Sequence, residues 1–343
     1  MKISFLDLVP VIAADGASDA LHNAARLAQT AENVGLNRYW LAEHHNMPGI
    51  ASSATSVLLS YLGSQTSRIR LGSGGIMLPN HAPLVVAEQF GTLAALYGER
   101  FDLGLGRAPG TDGATFAALR RTMGDAERFP QDVQELMGYF TASDQARVKA
   151  VPAMGFDVPI WILGSSLFGA QLAAALGLPY VFASHFAPQM LMQAVTVYRE
   201  NFRPSAQLDQ PYVMVAANLL LADRQRDAEY HFTSVQQGFV NLRRGRPSYV
   251  PAPVEDMDTI WTPAEHQMVD SALSVSFVGD TTRVRERLAS FLDYVKPDEL
   301  IVTANVHDID ARVHSLELVP ALALFDLNTA SPSPAHTSTA DAA

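Results

Sequence analysis

Four short stretches of this 343-residue chain carry residue types that do chemistry. The first is Glu43-His44-His45-Asn46, where two imidazoles stand side by side. Neighbours on an extended strand point to opposite faces, so these two do not easily serve one small site together. One of them, as a base titrating near neutral pH or as a pocket-lining group, is the functional candidate, and structural hydrogen bonding is the bland use. A metal is not expected there, because it would need one of these histidines plus ligands from other strands. The second stretch, residues 71–81, places glycines at 72, 74 and 75. It is not a dinucleotide fingerprint, since position 77 is Met and Pro79 stands where a helix should open. Glycines inside a strand mark a bulge or a close approach by a ligand or another backbone, and the bare chain at Gly74 and Gly75 suits the face of a planar ring. The third stretch ends a strand with Gly106-Arg107-Ala108-Pro109. The planar fork of Arg107 suits phosphate oxygens there, with a salt bridge between loops as its alternative use.

The fourth stretch, Gly164-Ser165-Ser166, lies where a strand turns into a helix. The free N–H groups of a helix start, with about half an elementary charge from the dipole, make a phosphate cradle. Serine at a helix start is also an ordinary cap. His185 and Phe186, after a further strand, bring a third histidine and an aromatic ring to the same mouth as a tentative substrate pocket. Phe5, Trp161 and Phe168 are expected to add apolar lining, or else to be core. An arginine, a helix start, a bare backbone and histidines around one rim would together hold a phosphorylated planar cofactor.

The elements that must position these groups follow from periodicity. Apolar, β-rich runs at 4–11, 38–44, 69–77, 101–107, 159–164, 179–186, 212–221 and 299–306 alternate with helical patterns at 18–34, 52–65, 83–96, 126–140, 168–176 and 188–201. Ser18 is the expected N-cap of the first helix. Several runs are apolar throughout, as strands covered on both faces are, so the sheet is expected to be parallel. Eight such repeats with short connections predict an α/β chain folded as a (β/α)₈ TIM barrel, one domain over 1–330; an open doubly wound sheet is the alternative. A helix at 281–294 leads directly into the last strand. Residues 223–278 then form an insertion at the catalytic face, read either as a wall or lid or as a packing and oligomer contact. The Ser/Pro/Ala/Thr-rich tail 331–343 is expected to be disordered.

Composition narrows the partners. The chain has 24 basic and 35 acidic residues, a net charge of −11, and no basic stripe, so neither nucleic acid nor an anionic membrane finds its electrostatic footprint. The absence of cysteine excludes disulfides, zinc–thiolate sites and a cysteine nucleophile. No secretory signal or apolar span is evident, and a cytoplasmic enzyme is expected.

The stretches 40–45, 71–79, 104–112, 161–166 and 276–280, in this order and spacing, resemble the bacterial-luciferase-like, flavin-dependent oxidoreductases, over roughly residues 1–327. The resemblance implies a homodimer-forming barrel that binds FMN, with the phosphate on Arg107 and on Gly164, Ser165 and Ser166. It also implies a bulge at Gly74-Gly75 against the flavin ring, often with a non-proline cis peptide, and His44 as an active-site base. Luciferase catalytic subunits carry a reactive cysteine where this chain has Gly106, and an acidic residue where it has Ser165. Light emission is therefore not expected. What the resemblance implies is a two-component monooxygenase taking reduced FMN from a separate flavin reductase, with O₂ and a small organic substrate whose identity is not legible. An F420-dependent oxidoreductase on the same barrel and a non-catalytic flavin-binding subunit are the alternatives; His44, Arg107 and the Ser165-Ser166 turn speak against the latter.

Overall fold

The computed structural model describes residues 1–108, 112–141 and 146–329. The expected disordered tail, and Pro109 to Thr111 of the arginine stretch, lie outside the described residues. Eight parallel strands close into a barrel: β1 (Lys2–Asp7), β2 (Arg38–Leu41), β3 (Arg70–Met77), β4 (Phe101–Gly106), β5 (Ile160–Gly164), β6 (Tyr180–Phe182), β7 (Val213–Leu221) and β9 (Glu299–Thr303). Each pairs with the next, β7 pairs with β9, and β9 returns to β1. The closed barrel, not the open sheet, is thus the architecture. β3, β5 and β7 end where the apolar runs predict, while β1, β2, β4, β6 and β9 are shorter at their C-terminal ends. The apolar pattern continues into the loops past the last ladder bond, most visibly at β6.

Around the barrel run α1 (Gly16–Asn33), α2 (Thr55–Gln65), α3 (Pro83–Tyr97), α4 (Gly113–Ala118), α5 (Phe129–Phe140), α6 (Leu167–Leu176), α7 (Leu191–Asn201), α10 (Thr281–Val295) and α11 (Ile309–Glu317). Helix α1 buries Ala24, Leu27, Ala28 and Ala31, one helical stripe against the strands. Ser18 is not its N-cap. The helix starts at Gly16 behind Asp15, and the Ser18 carbonyl accepts a bond from His22 Nδ1 in the first turn.

The insertion contains α8 (Gln225–Arg243), α9 (Pro263–Ala272) and a strand that periodicity did not reveal, β8 (Ser276–Gly279). Four residues are too few to show alternation. β7 is nine residues long and buried throughout, so it serves two neighbours. Met214–Asn218 pair with β9, and Asn218–Leu221 pair with β8. The Pro-rich part of the insertion returns over the barrel mouth. Val250 N–H donates to the Val11 carbonyl at 2.9 Å, and the Ser248 carbonyl sits so close to Gly49 that a Cβ there would lie 2.5 Å from it.

Inside the barrel, alternate residues of each strand meet. Leu6, Trp40, Ala42, Trp161, Val181, Met214, Ala216 and Ile301 form the inner apolar cluster. Trp161 stands edge-on to Trp40 and to Tyr212, with ring centroids 5.2 and 5.6 Å apart. The N-terminal end is plugged by ions. Arg38 bridges Asp102 (2.5 Å) and Glu299 (3.1 Å), Arg70 joins Asp102 (2.7 Å), and the Tyr212 hydroxyl donates to Glu299 at 2.8 Å. Buried charges persist only when paired in this way.

Candidate active site

Chemistry in this architecture collects at the C-terminal ends of the strands, the end opposite the ionic plug. The alternation on β2 decides which histidine enters. Trp40 and Ala42 point into the barrel, while Tyr39 and Leu41 pack outward. His44 continues the inward set; Glu43 and His45 continue the outward set. His44 is held through its backbone: its N–H donates to the Ser52 carbonyl at 3.0 Å and its carbonyl accepts from the Ser53 hydroxyl at 2.8 Å. Ser52 and Thr55, at the approach to α2, both donate to the Ala42 carbonyl.

The ring of His44 is left free of such bonds. Its Nδ1 is buried and has no hydrogen-bond partner, and the same holds for Nδ1 of His185, which follows β6. Burial lowers the pKa of both rings. For His44 the pull of Glu43 opposes this and His45 adds to it. His185 is pushed down to about 4 by burial and then by His44. At neutral pH His185 is therefore an uncharged imidazole. Its carbonyl accepts from Asn218 Nδ2 (2.7 Å), and its ring meets Phe186 edge-on at 4.7 Å, with Phe186 open to solvent. Asn305, inward-facing just past β9, also has a buried oxygen without a partner. Unpaired buried polar atoms are costly, and a cluster of them around one mouth marks a place for a ligand.

Arg107 lies just past β4, exposed, with its guanidinium 4.1 Å over the ring of Phe168 in the first turn of α6. It makes no ion pair among the described residues. Ser166 is the N-cap of α6 but caps nothing with its side chain, so the leading N–H groups of that helix stay unspent. This arrangement of a free guanidinium beside an uncapped helix start fits a phosphate. The residues therefore fit the phosphate end of FMN.

The peptide Gly74–Gly75 is cis, and the β3–β4 register shifts between Ser73 and Ile76. The glycines are demanded first by the protein itself. A Cβ on Gly75 would come within 2.6 Å of the Gly104 carbonyl, and one on Gly74 within 2.7 Å of Leu6 Cδ1. Gly106, where luciferases carry cysteine, abuts Met77: a Cβ there would lie 2.9 Å from Sδ.

Two expected pocket residues are elsewhere. Phe5 faces outward into the layer between strands and helices, stacked on Tyr39 at 5.7 Å. Trp161 fills the barrel interior below the mouth. His45 joins a cluster that spacing could not show. Glu43 Oε1 accepts from His45 Nε2 and His81 Nε2, each at 2.8 Å, while Oε2 accepts from the Met77 N–H at 3.0 Å. Burial works to raise the Glu43 pKa, but these bonds hold it at about 2. Hydrogen bonding to Glu43 raises that of His45. The ligand-type atoms of Glu43, His45 and His81 lie within 4.8 Å of one another, yet both imidazoles already spend an N–H on the carboxylate. Asn218, Asn305, Glu43 and His81 were missed in the sequence. Only Asn218 left a signal, as the lone polar residue of an apolar strand.

The fold is a parallel eight-stranded barrel with its polar groups gathered at one mouth, and the comparisons show the family to which it belongs. The family model for luciferase-like monooxygenases matches residues 1–295, and the chain belongs to that family. A protein of Escherichia coli (strain K12) named luciferase-like monooxygenase is 55% identical over 320 residues, covering 93% of this chain and 96% of the relative. Among solved structures, apo-MsnO8 superposes with a TM-score of 0.83 at 27% identity, covering 95% of this chain and 99% of that one. The barrel is shared more distantly by the oxygenating constituent of 3,6-diketocamphane monooxygenase from Pseudomonas putida in complex with FMN (TM-score 0.68, 17% identity, 93% and 96% covered). It is shared also by an F420-dependent secondary alcohol dehydrogenase (TM-score 0.67, 13% identity, 94% and 98% covered). No described helix is long and apolar enough to cross a membrane.

Proposed function

We propose that the protein is the oxygenase of a two-component system, taking reduced FMN from a separate flavin reductase and transferring one atom of O₂ to a small organic substrate. The observation that carries this is the pairing, around one mouth, of a free guanidinium beside an uncapped helix start with a buried, unpartnered imidazole at His44. Bound reduced FMN would supply two electrons and two protons, so that one oxygen atom enters the substrate and the other leaves as water.

The chain's own part is positional and electrostatic. Arg107 and the N–H groups of the Gly164-Ser165-Ser166 turn and the start of α6 hold the phosphate dianion. Gly74 and Gly75 form the bulge against the ring. His44, whose protonation burial disfavours, takes or returns a proton at its free ring nitrogens. His185 and Phe186 orient the substrate. The Pro-rich part of 223–278, seated against Val11 and Gly49, is a wall that keeps water from the mouth.

The enzyme works as a homodimer in the cytoplasm. Supporting the dimer, α2 carries no charged residue and α3 only Glu88, while Val57, Val85 and Leu96 on these two helices are exposed. Helices apolar on their outer face are made to be covered.

The deciding experiment is an anaerobic titration with reduced FMN, followed by rapid mixing with oxygen. Tight binding, and reoxidation of the bound flavin at a rate distinct from free FMN with substrate-dependent product, is the expected result. Failure to bind FMN in either redox state, with binding of F420 instead, would overturn it.

A further inference from the structure

We propose that Glu43 is the positioning residue of this site: its buried carboxylate replaces the missing backbone ladder between β2 and β3 and so fixes the strand end bearing His44 against the bulge at Gly74–Gly75. The role rests on the flavin reading above for its catalytic meaning, though not for its structural test.

The β2–β3 ladder runs from Arg38↔Arg70 to Leu41↔Ser73 and stops. Beyond the bulge β3 keeps its register only with β4, at Ile76↔Leu105 and Met77↔Gly106. The seam between the two strand ends is therefore open where the candidate base and the flavin-facing turn lie side by side. The described hydrogen bonds that cross it all end on one side chain. Met77, the last residue of β3, donates its N–H to Glu43 Oε2, and His81, just after the 3₁₀ turn Leu78–Asn80, donates to Oε1. His45 donates to the same Oε1 from the β2 side. The carboxylate is 1% exposed, and an ion so placed persists only because three donors satisfy it. An apolar residue at 43 would pack there but could not accept the Met77 amide.

The same charge sits one residue from His44 and offsets part of the burial that disfavours its protonation. The titratable groups near that ring are Glu43 and His45 on its own strand end and His185 from the end of β6. Glu43 thus sets both the place and the basicity of the imidazole without pointing into the mouth.

The test is Glu43→Gln, near-isosteric but uncharged and carrying donors where the carboxylate only accepts. In protein without flavin, NMR is expected to show the Met77 amide exchanging at least about tenfold faster and the His44 ring titrating at lower pH than in wild type. With flavin, affinity for reduced FMN should fall about tenfold, and the limb of the turnover–pH profile set by His44 should move to lower pH. A Met77 amide and a His44 titration both unchanged in Glu43→Gln would overturn the proposal even if flavin turnover is confirmed. Both shifts in a protein that never binds flavin would leave the strand clamp standing and remove its catalytic meaning. Should Glu43→Gln fail to fold, His81→Phe removes one donor and keeps the charge: flavin affinity should fall a few-fold with the His44 titration in place. A His81→Phe variant indistinguishable from wild type in flavin affinity would count against the clamp.

Discussion

His44 and His185 come within electrostatic reach of each other although β2 and β6 stand on opposite sides of the eight-strand ring. Charge on His44 helps to lower the pKa of His185. The Nδ1 atoms of both rings are buried without partners.

That geometry gives them separable roles. Replacing His44 with Ala should cut oxygenation about 10²-fold or more while leaving FMN affinity within a few-fold, as a base removed from a formed pocket would. Steady-state turnover with equilibrium flavin titration reads both, and near-normal turnover would remove His44 from the mechanism. In His185→Ala the loss should fall mainly on substrate KM.

Stability should depend on pH through the same pair. Both rings bind a proton less readily folded than unfolded, so the unfolded chain takes up more protons as the pH drops below about 6.5. The stabilisation is fully present above that pH and is lost on acidification toward about 4. His185 alone accounts for up to about 3 kcal/mol. Denaturant melts between pH 7 and 4 should show the decline, and His185→Asn should flatten it; equal slopes in both proteins would contradict the burial of that ring.

Arg107→Ala should weaken FMN binding about 10- to 100-fold and leave riboflavin, which lacks the phosphate, almost unaffected. Comparing the two ligands by fluorescence titration isolates the phosphate contact. An equal loss for both would mean that Arg107 shapes the pocket through its stacking on Phe168.

The outer faces of α2 and α3 predict their own variant. Val57 is 70% exposed and Leu96 62%. Val57→Glu with Leu96→Glu should convert a dimer into a monomer in sedimentation without unfolding the barrel. A wild-type protein that sediments as a monomer would rule out these helices as an interface.

At the other end of the barrel, Glu299→Ala should cost about 3–5 kcal/mol, because it strips Arg38 of one partner and leaves Tyr212 without its acceptor. Chemical denaturation measures this directly. The proposed FMN site, at the opposite end of the barrel, should keep its affinity in the folded fraction.

Much of this was written in local sequence. Apolar runs such as Val213–Leu221 read as strands covered on both faces, and eight of them alternating with helices favour a closed barrel over an open doubly wound sheet. The period of two in a strand by itself separates His44 from His45. The placement of Arg107 just past a strand and of Ser165-Ser166 at a helix start was legible because strand ends and helix starts are local events.

What the tertiary structure alone decided involves partners far apart in the chain. Nothing near Glu43 announces that His81 and the Met77 amide will close on its carboxylate, since that bond depends on how the β3 bulge displaces one strand end toward another. Phe5 and Trp161 looked alike as aromatics on strands. Only barrel closure, which assigns each parity to inside or outside, sent one to the helical layer and the other to the centre. The strand Ser276–Gly279 exists because β7 overshoots its barrel neighbour and exposes unpaired backbone groups, a demand made by the assembled sheet and invisible in four residues of sequence. Local periodicity determines which elements form and which way their side chains alternate; the contacts between distant elements determine which of those side chains meet.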